Sequence, residues 1–141
     1  MPGLKSLVTL IEEAFTLGLS VQETRLDGVT CGRLDPRQWI IQIDPGMSET
    51  QRYCTLQHEI IHAKHFREGM AIGGAKEEHL TRKETAVALI DIAEARQIEE
   101  IFPGDLFNQS RELHVTREVL KDYYEYLAGL PKYARIDRAS A

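Results

Sequence analysis

The residues most able to do chemistry stand together at His58-Glu59-Ile60-Ile61-His62, the pattern HExxH. Positions i and i+4 share one helix face, with Cβ atoms about 5–6 Å apart. Two imidazoles at that spacing can converge on one tetrahedral metal ion. Glu59 is turned about 100° from His58 by the 3.6-residue repeat. It is poorly placed as a ligand, but it can reach a water on the metal and take its proton.

A catalytic zinc site needs a third protein ligand and an open position for water. His65 continues the face of His58, but a rise of about 1.5 Å per residue separates the two by about 10 Å along a straight helix. His65 is therefore expected to support the site or to lie on the surface. The longer metzincin pattern would place Gly at position 65 and His at 68, where this chain has His65 and Glu68. The remaining candidates are Glu77, Glu78, His79 and Glu84, and helical spacing does not choose among them. Thr81 and Glu84 also read as a capping box, which would commit Glu84 to a helix start. Asp91 is acidic within an apolar stretch and is expected to play a structural or supporting part.

Helices must position these groups. Ser48, with Gln51 three residues later, opens one by a capping box, and it should run to about Phe66. Tyr53, Leu56, Ile60 and Ala63 form an apolar stripe opposite His58 and His62, so one face packs on a core while the other opens to a cleft. Residues 67–76 contain Gly69, Gly73 and Gly74 and read as a mobile loop. A further helix is expected over about 77–97, and two more over about 105–112 and 116–129, after the break at Pro103-Gly104.

Upstream, Leu4, Leu7, Val8, Ile11, Ala14 and Phe15 have helical spacing over 3–17, with Gly18 as the stop. Asp27-Gly28 is a tight-hairpin signal, and Asp35-Pro36-Arg37 is a second turn. Trp39, Ile41 and Ile43 alternate along a strand that Asp44-Pro45-Gly46 ends. The expected sheet is an antiparallel meander of about 20–26, 29–34 and 38–44. Residues 1–130 should form one domain, and 131–141 a flexible tail.

The 141 residues fit one ordinary domain with its own core. Apolar residues make up 43% and charged residues 28%, which excludes a disordered, collagen-like or coiled-coil chain. No apolar run approaches the roughly 20 residues needed to cross a bilayer. The N-terminus makes a poor signal peptide, and Cys31 and Cys54 alone do not make a disulfide framework. A cytoplasmic location without a membrane partner is expected. The 22 acids exceed the 17 bases, for a net charge of −5, which disfavours direct nucleic-acid binding.

The stretches WIIQIDPGMSETQRYCTLQHEIIH (39–62) and EEHLTRKETAVALI (77–90) resemble the ImmA/IrrE-type metallopeptidases, particularly short actinobacterial and phage-borne members. ELHVTREVLKDYYEYL (112–127) resembles the closing helices of that family. The resemblance implies an α+β, zincin-like fold, with a small antiparallel sheet packed beside the HExxH helix. It implies one zinc ion on His58, His62 and Glu78, and favours Glu78 over Glu84. The ungapped family pattern Glu-x-x-Ala-Asn/Asp places its Glu at Glu78, with Thr85-Ala86 and Leu89-Ile90 in the small and aliphatic positions. The chain departs from the pattern at Arg82, where Asn or Asp is usual.

The implied activity is a zinc-dependent endopeptidase of regulatory type, with metal-activated water and Glu59 as general base. Tyr53, Tyr123, Tyr124 and His114 are candidates to stabilise the oxyanion. The implied substrate is a helix-turn-helix repressor encoded beside the peptidase, and the strand at 38–44 could accept it as an added strand. The alternative is a non-catalytic metal-binding regulator that binds its partner without cutting it. LHVTREVL itself resembles a helix-turn-helix. However, Glu99, Glu100, Asp105, Glu112, Glu118, Asp122 and Glu125 outnumber Arg111, Arg117 and Lys121 around it, which argues against DNA contact. A monomer is expected.

Overall fold

The strand richest in isoleucine takes the centre of the sheet. In the computed structural model, which describes residues 5–131, β1 is Ser20–Glu23, β2 is Gly32–Asp35 and β3 is Ile40–Ile43. The order is β1-β3-β2. β3 buries Ile41 and Ile43, while the more polar β1 and β2 take the edges, where unpaired backbone tolerates polar neighbours.

β2 pairs antiparallel with β3, but β1 runs parallel to it, with Val21 opposite Ile41. The expected antiparallel meander is thus corrected to a mixed sheet. Gly28 does turn the chain at φ 63°, but the chain around it crosses from one edge of the sheet to the other. It does not close a hairpin between β1 and β2. β3 is also ruled out as the strand that accepts a substrate, because both of its edges are already paired.

Among the described residues, six helices accompany the sheet: α1 Leu7–Thr16, α2 Glu49–Arg67, α3 Ala75–Leu89, α4 Ile92–Ile101, α5 Leu106–Leu113 and α6 Arg117–Ala128. α2 starts as its sequence dictates. The Ser48 hydroxyl accepts from the Gln51 backbone N–H, and the Gln51 side chain accepts from the Ser48 N–H. Its stripe of Tyr53, Leu56, Ile60 and Ala63 is buried and joins Leu10, Ile41, Leu89, Leu113 and Leu120 in the core.

The expected helix 77–97 is two helices. Ile90 is extended, and the Asp91 carboxylate caps α4 by accepting from the Glu94 N–H. Thr81 does not open a helix. It lies inside α3 with its hydroxyl 2.8 Å from the Glu77 carbonyl, so the expected capping box with Glu84 does not form. α5 and α6 fall where periodicity placed them, with Thr116 capping α6. Most of the expected tail lies outside the described residues.

α1 buries Leu10 and Ala14, with Leu7 and Leu17 partly buried against the core. Val8, Ile11 and Phe15 point outward, so its inward stripe is displaced from the one expected. Glu13 bridges Lys5, before α1, and Lys64 on α2. Burial alone would raise the Glu13 carboxyl, but the two lysines outweigh it and hold it below its usual value. Glu13 therefore adds stability at neutral pH, lost as the pH falls through that depressed value. In acid titrations of thermal unfolding, Glu13→Gln should flatten this loss and cost about 1 kcal/mol or less at pH 7, since the partners are partly exposed and screened. An unchanged acid limb would refute the assignment.

Candidate metal centre

Because Leu56, Ile60 and Ala63 hold one face of α2 in the core, the opposite face carries His58, Glu59 and His62 to a cleft of about 350 Å³. The edge strand β2 supplies one wall through Gly32, Arg33 and Leu34, and Ile72, Gly73 and Glu78 supply the other. The α2–α3 loop makes its turns at Gly69 and Gly73, with φ 93° and 94°. It delivers Glu77 and Glu78 in the first turn of α3, where the helix dipole favours carboxylates.

His58, His62 and Glu78 come together. The Glu78 carboxylate lies 3.0 Å from His62 Nε2 and 3.2 Å from His58 Nε2, and the three ligand atoms are within 4.8 Å of one another. The rings meet edge to face, with centroids 4.8 Å apart. Two ligands about 2.0–2.2 Å from a tetrahedral ion stand about 3.3–3.6 Å apart. This donor set therefore fits a divalent metal with little movement. Burial pushes the His58 imidazole below its usual pKa against the pull of Glu78, which favours the neutral form that ligates metals.

Glu59 lies beside the cluster without joining it. It is buried and accepts a hydrogen bond from the Leu34 backbone N–H. Burial pushes its carboxyl up to about 7, against the opposing influence of His62.

Glu84 does not reach this cluster. Its carboxylate meets His65 Nε2 at 2.8 Å, about two turns along α2 from His58 on the same face. His65 is buried, which excludes the surface option for it. His79 lies apart, with Arg82 and Asp122, in a separate cavity between α3 and α6. Arg82 pairs there with Asp122 of α6, at 3.0 and 3.3 Å, and its charge also acts on Glu78.

Spacing alone did not single out the role of Glu77. Its Oε2 accepts from His62 Nδ1 and His65 Nδ1, each at 2.7 Å, and the Thr81 hydroxyl lies 2.8 Å away. Its Oε1 accepts from the Gly73 N–H at 3.0 Å. Burial opposes the charge, but these bonds hold the carboxyl down at about 2. Burial likewise disfavours a charged His65, yet Glu77 and Glu84, one on each ring nitrogen, raise its pKa. The signals were available in the sequence: His65 lies three residues after His62, and Thr81 four after Glu77.

None of the four oxyanion candidates lines the cleft. Tyr53 and Tyr123 are buried in the core, and burial pushes both hydroxyls up to about 12. Tyr124 donates to Gln109, and His114 is the left-handed cap of α5.

A His-His-Glu cluster, with a further carboxylate beside it in a cleft between a helix and a sheet edge, is the arrangement of a metal-dependent hydrolase. The chain matches the IrrE N-terminal-like domain family (Peptidase_M78) over residues 14–129, and it belongs to that family. No curated protein matches it. The family is of metallopeptidase type, for which the substrate class is protein. No helix among the described residues is long and apolar enough to cross a membrane.

Proposed function

We propose that this chain is a zinc-dependent endopeptidase that cuts one particular protein, a helix-turn-helix repressor. The observation that carries this reading is the convergence of His58, His62 and Glu78 beside a buried Glu59, in a member of a metallopeptidase family. His58, His62 and Glu78 would hold the metal. A bound zinc ion supplies a Lewis acid that polarises water and a peptide carbonyl. Glu59 takes the proton from the attacking water and returns it to the leaving amine. The Leu34 N–H holds the Glu59 carboxylate at the cleft wall. Support for the repressor is indirect: a net charge of −5 suits a basic protein partner.

The metal reading is tested by zinc content after purification. Wild type should hold one zinc per chain. Glu78→Ala and His62→Ala should lose it, and Glu84→Ala should keep it. A wild type without zinc, or a site emptied only by Glu84→Ala, overturns the ligand assignment.

A further inference from the structure

An imidazole that ligates a metal through one nitrogen leaves the other free to be oriented, and in His62 that other nitrogen is fully engaged. His62 Nδ1 lies 2.7 Å from Glu77 Oε2. A carboxylate only accepts, so Nδ1 carries a proton, and Nε2, 3.0 Å from Glu78, is the nitrogen left to face a metal. The same Oε2 accepts from His65 Nδ1 at 2.7 Å, and His65 Nε2 lies 2.8 Å from Glu84. With a carboxylate on each side, His65 donates from both nitrogens. Its positive charge offsets that of Glu77, which makes burial of this carboxylate tolerable. Thr81, fully buried, and the Gly73 N–H complete the shell of Glu77.

We propose that Glu77 and His65 are positioning residues of the metal centre. Glu77 fixes the His62 ring in its Nδ1–H form, and His65, backed by Glu84, fixes Glu77. This deepens the reading above and rests on it. The bracket ties the end of α2 to the start of α3, so the two elements that carry His62 and Glu78 are locked by a contact one shell behind the ligands.

His62, His65 and Glu77 also lie close enough together to suggest a second metal ion. Their 2.7 Å separations argue otherwise. These are hydrogen bonds to a carboxylate oxygen that the Thr81 hydroxyl also meets at 2.8 Å, so both Nδ1 atoms carry protons and offer no lone pair to an ion.

The test titrates zinc against a competing chelator into the full chain as wild type, Glu77→Gln and His65→Gln. Alongside, nitrogen NMR of wild type reads the histidine tautomers with and without zinc. Wild type should bind one zinc, and each variant should bind it about 10–100-fold more weakly. His62 should carry a proton on Nδ1 in both states, with Nε2 unprotonated when zinc is bound, and His65 should carry protons on both nitrogens in the zinc-free protein. Folded variants with wild-type zinc affinity overturn the proposal and leave the metal centre standing. So does a His62 without a proton on Nδ1, which is read in wild type even if the variants fail to fold. A second zinc lost on Glu77→Gln would overturn it in favour of a second metal site. Absence of zinc from wild type removes the metal centre and this inference together.

Discussion

Glu59→Gln should lower cleavage of a co-expressed helix-turn-helix repressor by about 10²–10⁴-fold, the range for loss of one general acid–base group, while zinc content stays at the wild-type level. The two readouts separate because of where Glu59 sits. It follows His58 directly but is rotated out of the His-His-Glu cluster, so it adds no ligand atom to that group. Its carboxylate accepts from the Leu34 N–H on the facing strand, and a glutamine carbonyl can accept the same bond. The substitution therefore preserves shape and the contact between α2 and β2 and removes only the capacity to take a proton. Repressor that survives equally with wild type and Glu59→Gln would sink the peptidase reading and favour the non-catalytic regulator. Repressor lost equally with both would show that Glu59 is not the base.

How far the site was legible follows from which signals are local. α2 could be read because its capping box, its apolar stripe and its histidine pair all share one helical period. The sheet was less legible, because strand order depends on pairings distant in sequence. Nothing within residues 20–35 says that β3 will insert between β1 and β2.

Thr81 and Asp91 show the same limit at helix starts. Both are residue types that cap helices. Thr81 instead bonds back one turn to the Glu77 carbonyl within α3, and Asp91, in an unbroken apolar stretch, is the true cap of α4. Where α3 begins then decides between the two glutamates. With the helix starting at Ala75, Glu78 faces His58 and His62, while Glu84, almost two turns further on, faces His65. Spacing left that choice open, the family pattern favoured Glu78, and packing of α3 on α2 puts Glu78 at the cluster.

Gly32→Ala should destabilise the protein by about 1–3 kcal/mol, the usual range for overpacking, and should depress cleavage as well. In an ordinary strand the sign would be opposite, since alanine loses less backbone entropy than glycine, by roughly 0.5–1 kcal/mol. Space decides it here. A Cβ on Gly32 would stand 2.5 Å from Thr55 Cγ2, 3.2 Å from the Gln42 carbonyl oxygen and 3.7 Å from Glu59 Cγ. Thr55 is β-branched and stiff at χ1, so its methyl cannot easily swing aside, and relief must come from moving β2 off α2. That movement would pull the Leu34 N–H away from Glu59, which couples the stability loss to the cleft. Thr55→Ser removes the obstructing methyl and keeps the hydroxyl. The double variant Gly32→Ala/Thr55→Ser should therefore recover most of the stability lost by Gly32→Ala, measured by denaturant unfolding against Thr55→Ser alone. A Gly32→Ala protein as stable as wild type, or an effect that simply adds to that of Thr55→Ser, would mean that the close approach of β2 to α2 does not set the position of the cleft wall.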